Sequence, residues 1–210
     1  MIEGYLCAKC DKKVDTLKRT VVKEIPPYLI IALKRFEFDF DRMIRIKVND
    51  YLEFPIELDM LPYTFEGIKR KEQAAKLKQE AAEKGEDFDE DQALGPLKYP
   101  RDYYVCKLKG VVVHTGTADS GHYYSFIRDV ESPDGERWYE FNDNIVRDFD
   151  ISELSNECFG GEDTSFANYS NMNMKMNKWR NAYLLIYERK NKTVVHEPEE
   201  GEEGSQQESA

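Results

Sequence analysis

Cysteine is scarce in this chain, with four among 210 residues, and a disulfide framework is excluded on that count. Histidine is scarcer, with three, so imidazole chemistry is confined to His114, His122 and His196. Long apolar runs are also lacking. None is longer than Tyr28 to Leu33, far short of the roughly 20 residues a membrane helix needs. There is no basic excess: 30 Lys and Arg stand against 41 Asp and Glu, a formal net charge of −11. That balance argues against a general nucleic-acid binder, whose phosphate contacts need a basic surface. Met1-Ile2-Glu3-Gly4 leads directly into polar sequence without the pattern of a secretory leader. The expectation is a protein of a reducing compartment, cytoplasmic and/or nuclear, with neither a nucleic acid nor a membrane as partner.

What is present is enough for a core. Hydrophobic residues make up 40% and aromatics 12%, with 13 Tyr and 11 Phe, in a length that suits one large domain or two small ones. Two polar stretches stand apart. Residues 197–210 hold six Glu and no basic residue, which predicts a disordered acidic tail, either solvated or partner-binding. Across about 66–96, Glu72, Lys76, Glu80 and Lys84 recur every four residues around alanine pairs, predicting a helix that Gly85 ends, followed by an acidic loop. With almost no apolar stripe, this stretch reads as an exposed insertion within a single domain over 1–196.

Most of the remainder reads as strand. Thr16 to Glu24 begins as an extended arm that Pro26-Pro27 breaks. Tyr28 to Leu33 is apolar on both faces, which predicts a central, buried strand. Phe36, Phe38 and Phe40 alternate with acidic residues, and Met43 to Val48 reads as their hairpin partner. Further strands are predicted at Val105 to His114, His122 to Arg128, Trp138 to Phe141 and Tyr183 to Tyr187, with a turn at Ser132-Pro133-Asp134-Gly135. Asp150 and Glu153 form a capping pattern for a short helix. Residues 168–177 carry no readable pattern.

The most informative stretch is His114-Thr-Gly-Thr-Ala-Asp-Ser-Gly-His122-Tyr-Tyr. Two glycines bracket a short polar loop that ends on a histidine at the start of a strand, where bare backbone allows close approach of a ligand chain. An imidazole is suited to general-base work near neutral pH. Counting outward from the Pro133-Asp134 turn, and allowing a bulge, His122 and Asn142 fall opposite or diagonal on paired strands, within side-chain reach. Asn142 and Asp143 are therefore candidates to hold the imidazole in one tautomer, leaving two-thirds of a nucleophilic triad. His114, on an apolar strand, reads as a satisfied core histidine.

HTGTADSGHYYSF followed by RWYEFNDNIV resembles the histidine box of the ubiquitin-specific proteases, the papain-like cysteine deubiquitinases. Tyr5 to Cys10 followed by PPYLIIALKRF resembles that family's zinc knuckle and the strand after it, NAYLLIYER resembles its closing strand, and the block ECFGG at 157–161 resembles its very long fat-facets-type members. The resemblance implies an α+β, mostly antiparallel papain-like fold, comprising the palm and part of the fingers without the thumb. It implies a catalytic base at His122, an orienting residue at Asn142 with Asp143 beside it, and ubiquitin and ubiquitinated proteins as partners. Catalysis would need no cofactor.

The family's nucleophilic cysteine heads a helix in an N-terminal box, and nothing similar occurs here. Cys106 lies in a predicted strand, Cys158 in a predicted loop, and Cys7 and Cys10 form a C-x-x-C. The chain thus reads as the C-terminal half of a catalytic domain, inactive alone, with the N-terminal half as its missing partner. Cys7 and Cys10 alone are compatible with zinc, redox chemistry or packing. The resemblance implies half of a structural zinc site, completed by a second knuckle in the full-length protein. Two rival readings remain: a non-catalytic ubiquitin-binding or scaffold module, and a zinc-ribbon-like interaction domain.

Overall fold

A computed structural model describes residues 1–85, 87–163 and 177–192. The predicted acidic tail at 197–210 and nearly all of the unread 168–177 stretch lie outside the described residues. In chain order the strands are β1 (Ile2–Cys7), β2 (Lys12–Thr16), β3 (Tyr28–Ala32), β4 (Phe36–Asp39), β5 (Ile44–Lys47), β6 (Glu57–Asp59), β7 (Val105–Gly116), β8 (Gly121–Asp129), β9 (Arg137–Asn142), β10 (Ile145–Phe149) and β11 (Arg180–Arg189). The helices are α1 (Phe65–Lys84), α2 (Glu90–Leu94) and α3 (Leu154–Cys158). The fold is α+β and the pairing between named strands is antiparallel.

A seven-stranded sheet organises the molecule in the order β10-β9-β8-β7-β11-β3, with β6 also paired to β7. Its centre is β7, flanked by β11 along one side and by β8 and β6 on the other. Buried residues on β7 run Cys106, Leu108, Gly110 and then Val111 and Val113. This change of phase coincides with a register shift against β11, where Ile186 faces Gly110 but Tyr187 faces Leu108. One extra residue on β7 turns the side chains after it to the other face. The core gathers Leu108, Val111, Val113, Phe126, Trp138, Leu185 and Tyr187 with Phe54, Phe159, Leu154 and Cys158. Ring packing reinforces it, as where Phe126 stacks on Phe149 with centroids 3.8 Å apart.

Several elements differ from expectation. Tyr28 to Leu33 is not a central strand: β3 ends the sheet, pairs only with β11, and leaves Tyr28 51% and Ile30 63% exposed. A run apolar on both faces cannot by itself say what covers either face. The extended arm is displaced, since β2 pairs with β1 and ends at Thr16, where the sequence predicts the arm to begin. The acidic loop contains the short helix α2. Strand β10 was not anticipated, and it arises because Asn142-Asp143-Asn144 makes a tight turn, with Asp143 at φ +52° in a conformation Asx residues tolerate.

Helix α1 starts where Thr64 Oγ1 accepts from the Gly67 N–H at 3.0 Å and stops at Gly85, φ +70°. None of its residues is buried. Its first turn is tied to the body by Glu66, which meets the Tyr104 hydroxyl and accepts from the Lys98 N–H. Arg70 donates to the carbonyls of Leu94, Gly95 and Pro96 and so holds the segment after α2.

Candidate active site

Strand alternation places the candidate groups. On β8, His122, Tyr124, Phe126 and Arg128 share the inner face, while on β9 the inner face carries Trp138, Glu140 and Asn142. The β8–β9 register runs evenly from Asp129 opposite Arg137 to Ser125 opposite Phe141, so the bulge allowed for in the sequence reading is not present in this ladder. Asn142 therefore sits diagonal to His122, and His122 Nε2 lies 2.7 Å from Asn142 Oδ1. Asp143 is further off: its Oδ1 is 4.0 Å from Nε2 and its side chain is 77% exposed. At that distance and exposure its charge is largely screened by solvent.

Glu140 lies two residues before Asn142 on the same face, and the sequence reading missed it. Its Oε1 accepts from Asn142 Nδ2 at 3.2 Å. Arg147, on β10, donates to both Glu140 oxygens at 2.9 Å. The fork of Arg147 holds this buried carboxyl below its usual value, against burial, with the Asn142 amide contributing further. Period-2 alternation back from Asn142 could have flagged Glu140; Arg147 could be found only with β10 in place.

The loop before His122 is shaped by its glycines. Gly116 has φ +109°, and a Cβ there would lie 2.6 Å from the Ser120 carbonyl oxygen. A Cβ on Gly121 would lie 2.2 Å from His114 Nε2 and 2.4 Å from the Thr115 carbonyl oxygen. Only glycine lets the two strands close this tightly. Thr117 and Ser120 tie the loop across its neck. Lys47, also missed, anchors it from β5: the ammonium donates to the carbonyls of Trp179 at 2.6 Å, His114 at 2.9 Å and Gly116 at 3.3 Å. Burial, then the Arg35 charge, push its pKa down to about 8.

His114 is buried as expected, edge-on to Phe36 with ring centroids 5.0 Å apart, yet it is not satisfied. Its Nδ1 is buried without a hydrogen-bond partner. Burial and the Lys47 charge favour the neutral ring, which lowers the cost of that orphan nitrogen. Beside it opens a cavity of about 520 Å³, lined by Phe36, Phe38, Arg45, His114, Tyr123 and the Thr117–Gly121 loop.

None of the four thiols belongs to this cluster. Cys106 and Cys158 are fully buried, and burial raises both pKa values, the opposite of what a reactive thiolate needs. Cys7 ends β1 and Cys10 lies in the turn to β2. The backbone N–H groups of Lys9 and Cys10, then the Cys10 side chain, lower the Cys7 pKa, as suits a metal-binding thiolate. The pair supplies two donors of the four a tetrahedral site takes. Among the described residues no group of three or more His, Cys, Asp or Glu side chains is placed to hold a metal ion, so these residues do not complete a site.

The site is an imidazole pinned by a carboxamide on an antiparallel sheet, at the foot of a loop that its glycines shape. Comparison with known proteins places it further. Residues 1–187 match the family model of ubiquitin carboxyl-terminal hydrolase. The chain is 42% identical over 212 residues to ubiquitin carboxyl-terminal hydrolase 9X of Mus musculus, covering 95% of this chain and 8% of that protein. It is also 42% identical over 205 residues to the probable ubiquitin carboxyl-terminal hydrolase FAF of Drosophila melanogaster, covering 93% of this chain and 7% of that protein. Its fold resembles that in the SAGA Ubp8/Sgf11/Sus1/Sgf73 DUB module bound to ubiquitin aldehyde, with a TM-score of 0.54, 24% identity, and coverage of 88% of this chain and 29% of that one. The chain belongs to the ubiquitin carboxyl-terminal hydrolase family, among its ubiquitin-specific proteases, and spans less than a tenth of the length of the mouse and fly relatives.

Proposed function

We propose that this chain supplies the base and its orienting partner to a cysteine-type deubiquitinase that cleaves the isopeptide or peptide bond after the C-terminal glycine of ubiquitin. The observation that carries this reading is the 2.7 Å contact between His122 Nε2 and Asn142 Oδ1, in a chain of that family. With Nε2 facing Asn142, the ring's Nδ1 is left to face a nucleophile. A cysteine from outside this chain gives its proton to Nδ1, and the thiolate attacks the glycine carbonyl carbon. The tetrahedral adduct collapses to a thioester as the C–N bond breaks, and His122 returns the proton to the leaving amine. Water, deprotonated by the same ring, then attacks the thioester; the glycine carboxylate departs and the thiol is restored. Asn142 orients the imidazole but lacks the charge to stabilise imidazolium, and Asp143 at 4.0 Å adds a weak field.

The loop over Thr115–Ser120 borders the path of an extended Gly-Gly tail, with small side chains that suit a segment adjusting as substrate enters. The partners are then ubiquitin, ubiquitinated proteins and the N-terminal half of the catalytic domain. Cys7 and Cys10 would hold one side of a structural zinc whose other two thiolates come from that half. A reducing cytoplasmic or nuclear setting agrees with four free cysteines. The test joins the upstream half to this chain and measures hydrolysis of a ubiquitin C-terminal fluorogenic substrate. His122→Ala is expected to abolish turnover, and unchanged turnover removes His122 from the mechanism.

The burial of Cys106 and Cys158 favours a second reading, a ubiquitin-binding or scaffold module without catalysis. A ubiquitin-propargyl probe on the endogenous full-length protein separates the two, because covalent capture requires a competent thiol beside this histidine.

A further inference from the structure

We propose that Glu140, clamped by Arg147, is a positioning residue that sets which way the Asn142 carboxamide faces and thereby which nitrogen of His122 carries the proton. This rests on the reading of His122 as a base. An ionised carboxylate accepts hydrogen bonds and cannot donate, whereas an amide presents an acceptor at one end and donors at the other. Glu140 Oε1 lies 3.2 Å from Asn142 Nδ2, so the amide must turn its NH₂ toward Glu140. Its oxygen then faces His122 Nε2 at 2.7 Å, and an oxygen there demands an N–H on Nε2. The neutral ring is left with its lone pair on Nδ1, the nitrogen free to receive a proton from a nucleophile.

Arg147 keeps Glu140 in this acceptor-only state. Its guanidinium meets both carboxylate oxygens at 2.9 Å, and Glu140 is 8% exposed. The pair also explains how an Asn can serve where an Asp would orient itself. A carboxylate has two equivalent oxygens and needs no external guide, while a carboxamide has a wrong way round.

The substitution that exposes this is Glu140→Gln, nearly identical in shape. A glutamine presents an NH₂ either to Arg147, which only donates, or to Asn142, where it rewards the reversed amide. The paired exchange Asn142→Asp with Glu140→Gln restores a consistent chain. The oxygen of the introduced glutamine accepts from Arg147, its NH₂ donates to the introduced aspartate, and that aspartate accepts from His122.

Nitrogen NMR of the His122 ring in the full 210-residue chain reads the tautomer directly, without any turnover. The wild type is expected to show neutral rings protonated at Nε2, Glu140→Gln a shift of population toward Nδ1–H, and the double variant a return. In the joined catalytic domain, Glu140→Gln is expected to lower kcat by about tenfold with KM little changed, less than the roughly 10²- to 10⁴-fold that general acid–base catalysis commonly contributes. The double variant is expected to return to within about threefold of wild type. A wild-type ring protonated at Nδ1, or a Glu140→Gln ring still held at Nε2–H, overturns the inference whatever the kinetics. Full turnover by His122→Ala defeats the deubiquitinase mechanism instead, and the ring spectra still decide the role of Glu140.

Discussion

Gly121→Ala puts one methyl group into the tightest place near the candidate site. Its Cβ would stand 2.2 Å from His114 Nε2, 2.5 Å from His114 Cε1 and 2.4 Å from the Thr115 carbonyl oxygen. Neither neighbour can step aside. The His114 ring is 4% exposed and wedged between Phe36 and Tyr123, and the Thr115 carbonyl belongs to the β7 backbone, paired across to His122. Relief must come from splaying the last rungs of the β7–β8 ladder by about 1 Å, since carbon contacts need roughly 3.5 Å. Overpacking of this kind costs roughly 1–3 kcal/mol. In a domain of this size each kcal/mol lowers Tm by about 2–4 °C, so a fall of roughly 2–12 °C is expected in thermal unfolding followed by circular dichroism. The same movement draws His122 away from Asn142, and in the joined catalytic domain a displacement near 1 Å is expected to cost about 100-fold in kcat. A variant that melts within about 1 °C of wild type and turns over normally would show that the loop has slack the packing denies.

Two further outcomes test the surroundings. Lys47 titrates at about 8 in the folded chain against an ordinary 10.5, so between those values the unfolded chain holds more protons and stability rises with pH. The shift amounts to roughly 3 kcal/mol for a fully buried group, discounted to about 1 kcal/mol for one that solvent reaches. Urea unfolding at about pH 7.5 and about pH 10 should show that gain in the wild type and lose it in Lys47→Met, and an identical pH response in the variant would refute the assignment. Thr64→Ala removes the side chain that accepts from the Gly67 N–H and is expected to cost about 1 kcal/mol. Faster hydrogen exchange in the first turn of α1, with the His122 ring signals unmoved, is the pattern to look for, and unchanged exchange there would dismiss the cap.

The His122–Asn142 pairing was legible because it depends on short-range rules: strand period, turn position and the reach of diagonal side chains. The same rules contained Glu140, two places along from Asn142, but its meaning needed Arg147, and Arg147 needed a strand that begins after an unnoticed Asn-Asp-Asn turn. Lys47 was illegible for another reason. It joins β5 to the ends of β7 and β11, and pairings over such sequence distances leave no local periodicity. The misplacement of Tyr28 to Leu33 has the same origin, since apolar composition records a tendency to be covered and not the identity of the cover. His114 was correctly taken as buried, but burial did not ensure a partner for each ring nitrogen.

Helix α1 runs for 20 residues, none of them buried. Beyond Glu66 and Arg70, which tie it to its surroundings, its length and composition are therefore uncoupled from the geometry of the strands that carry His122 and Asn142. A fluorophore, an affinity handle or an additional folded module spliced near its C-terminal end would report on the protein while leaving the strand register undisturbed.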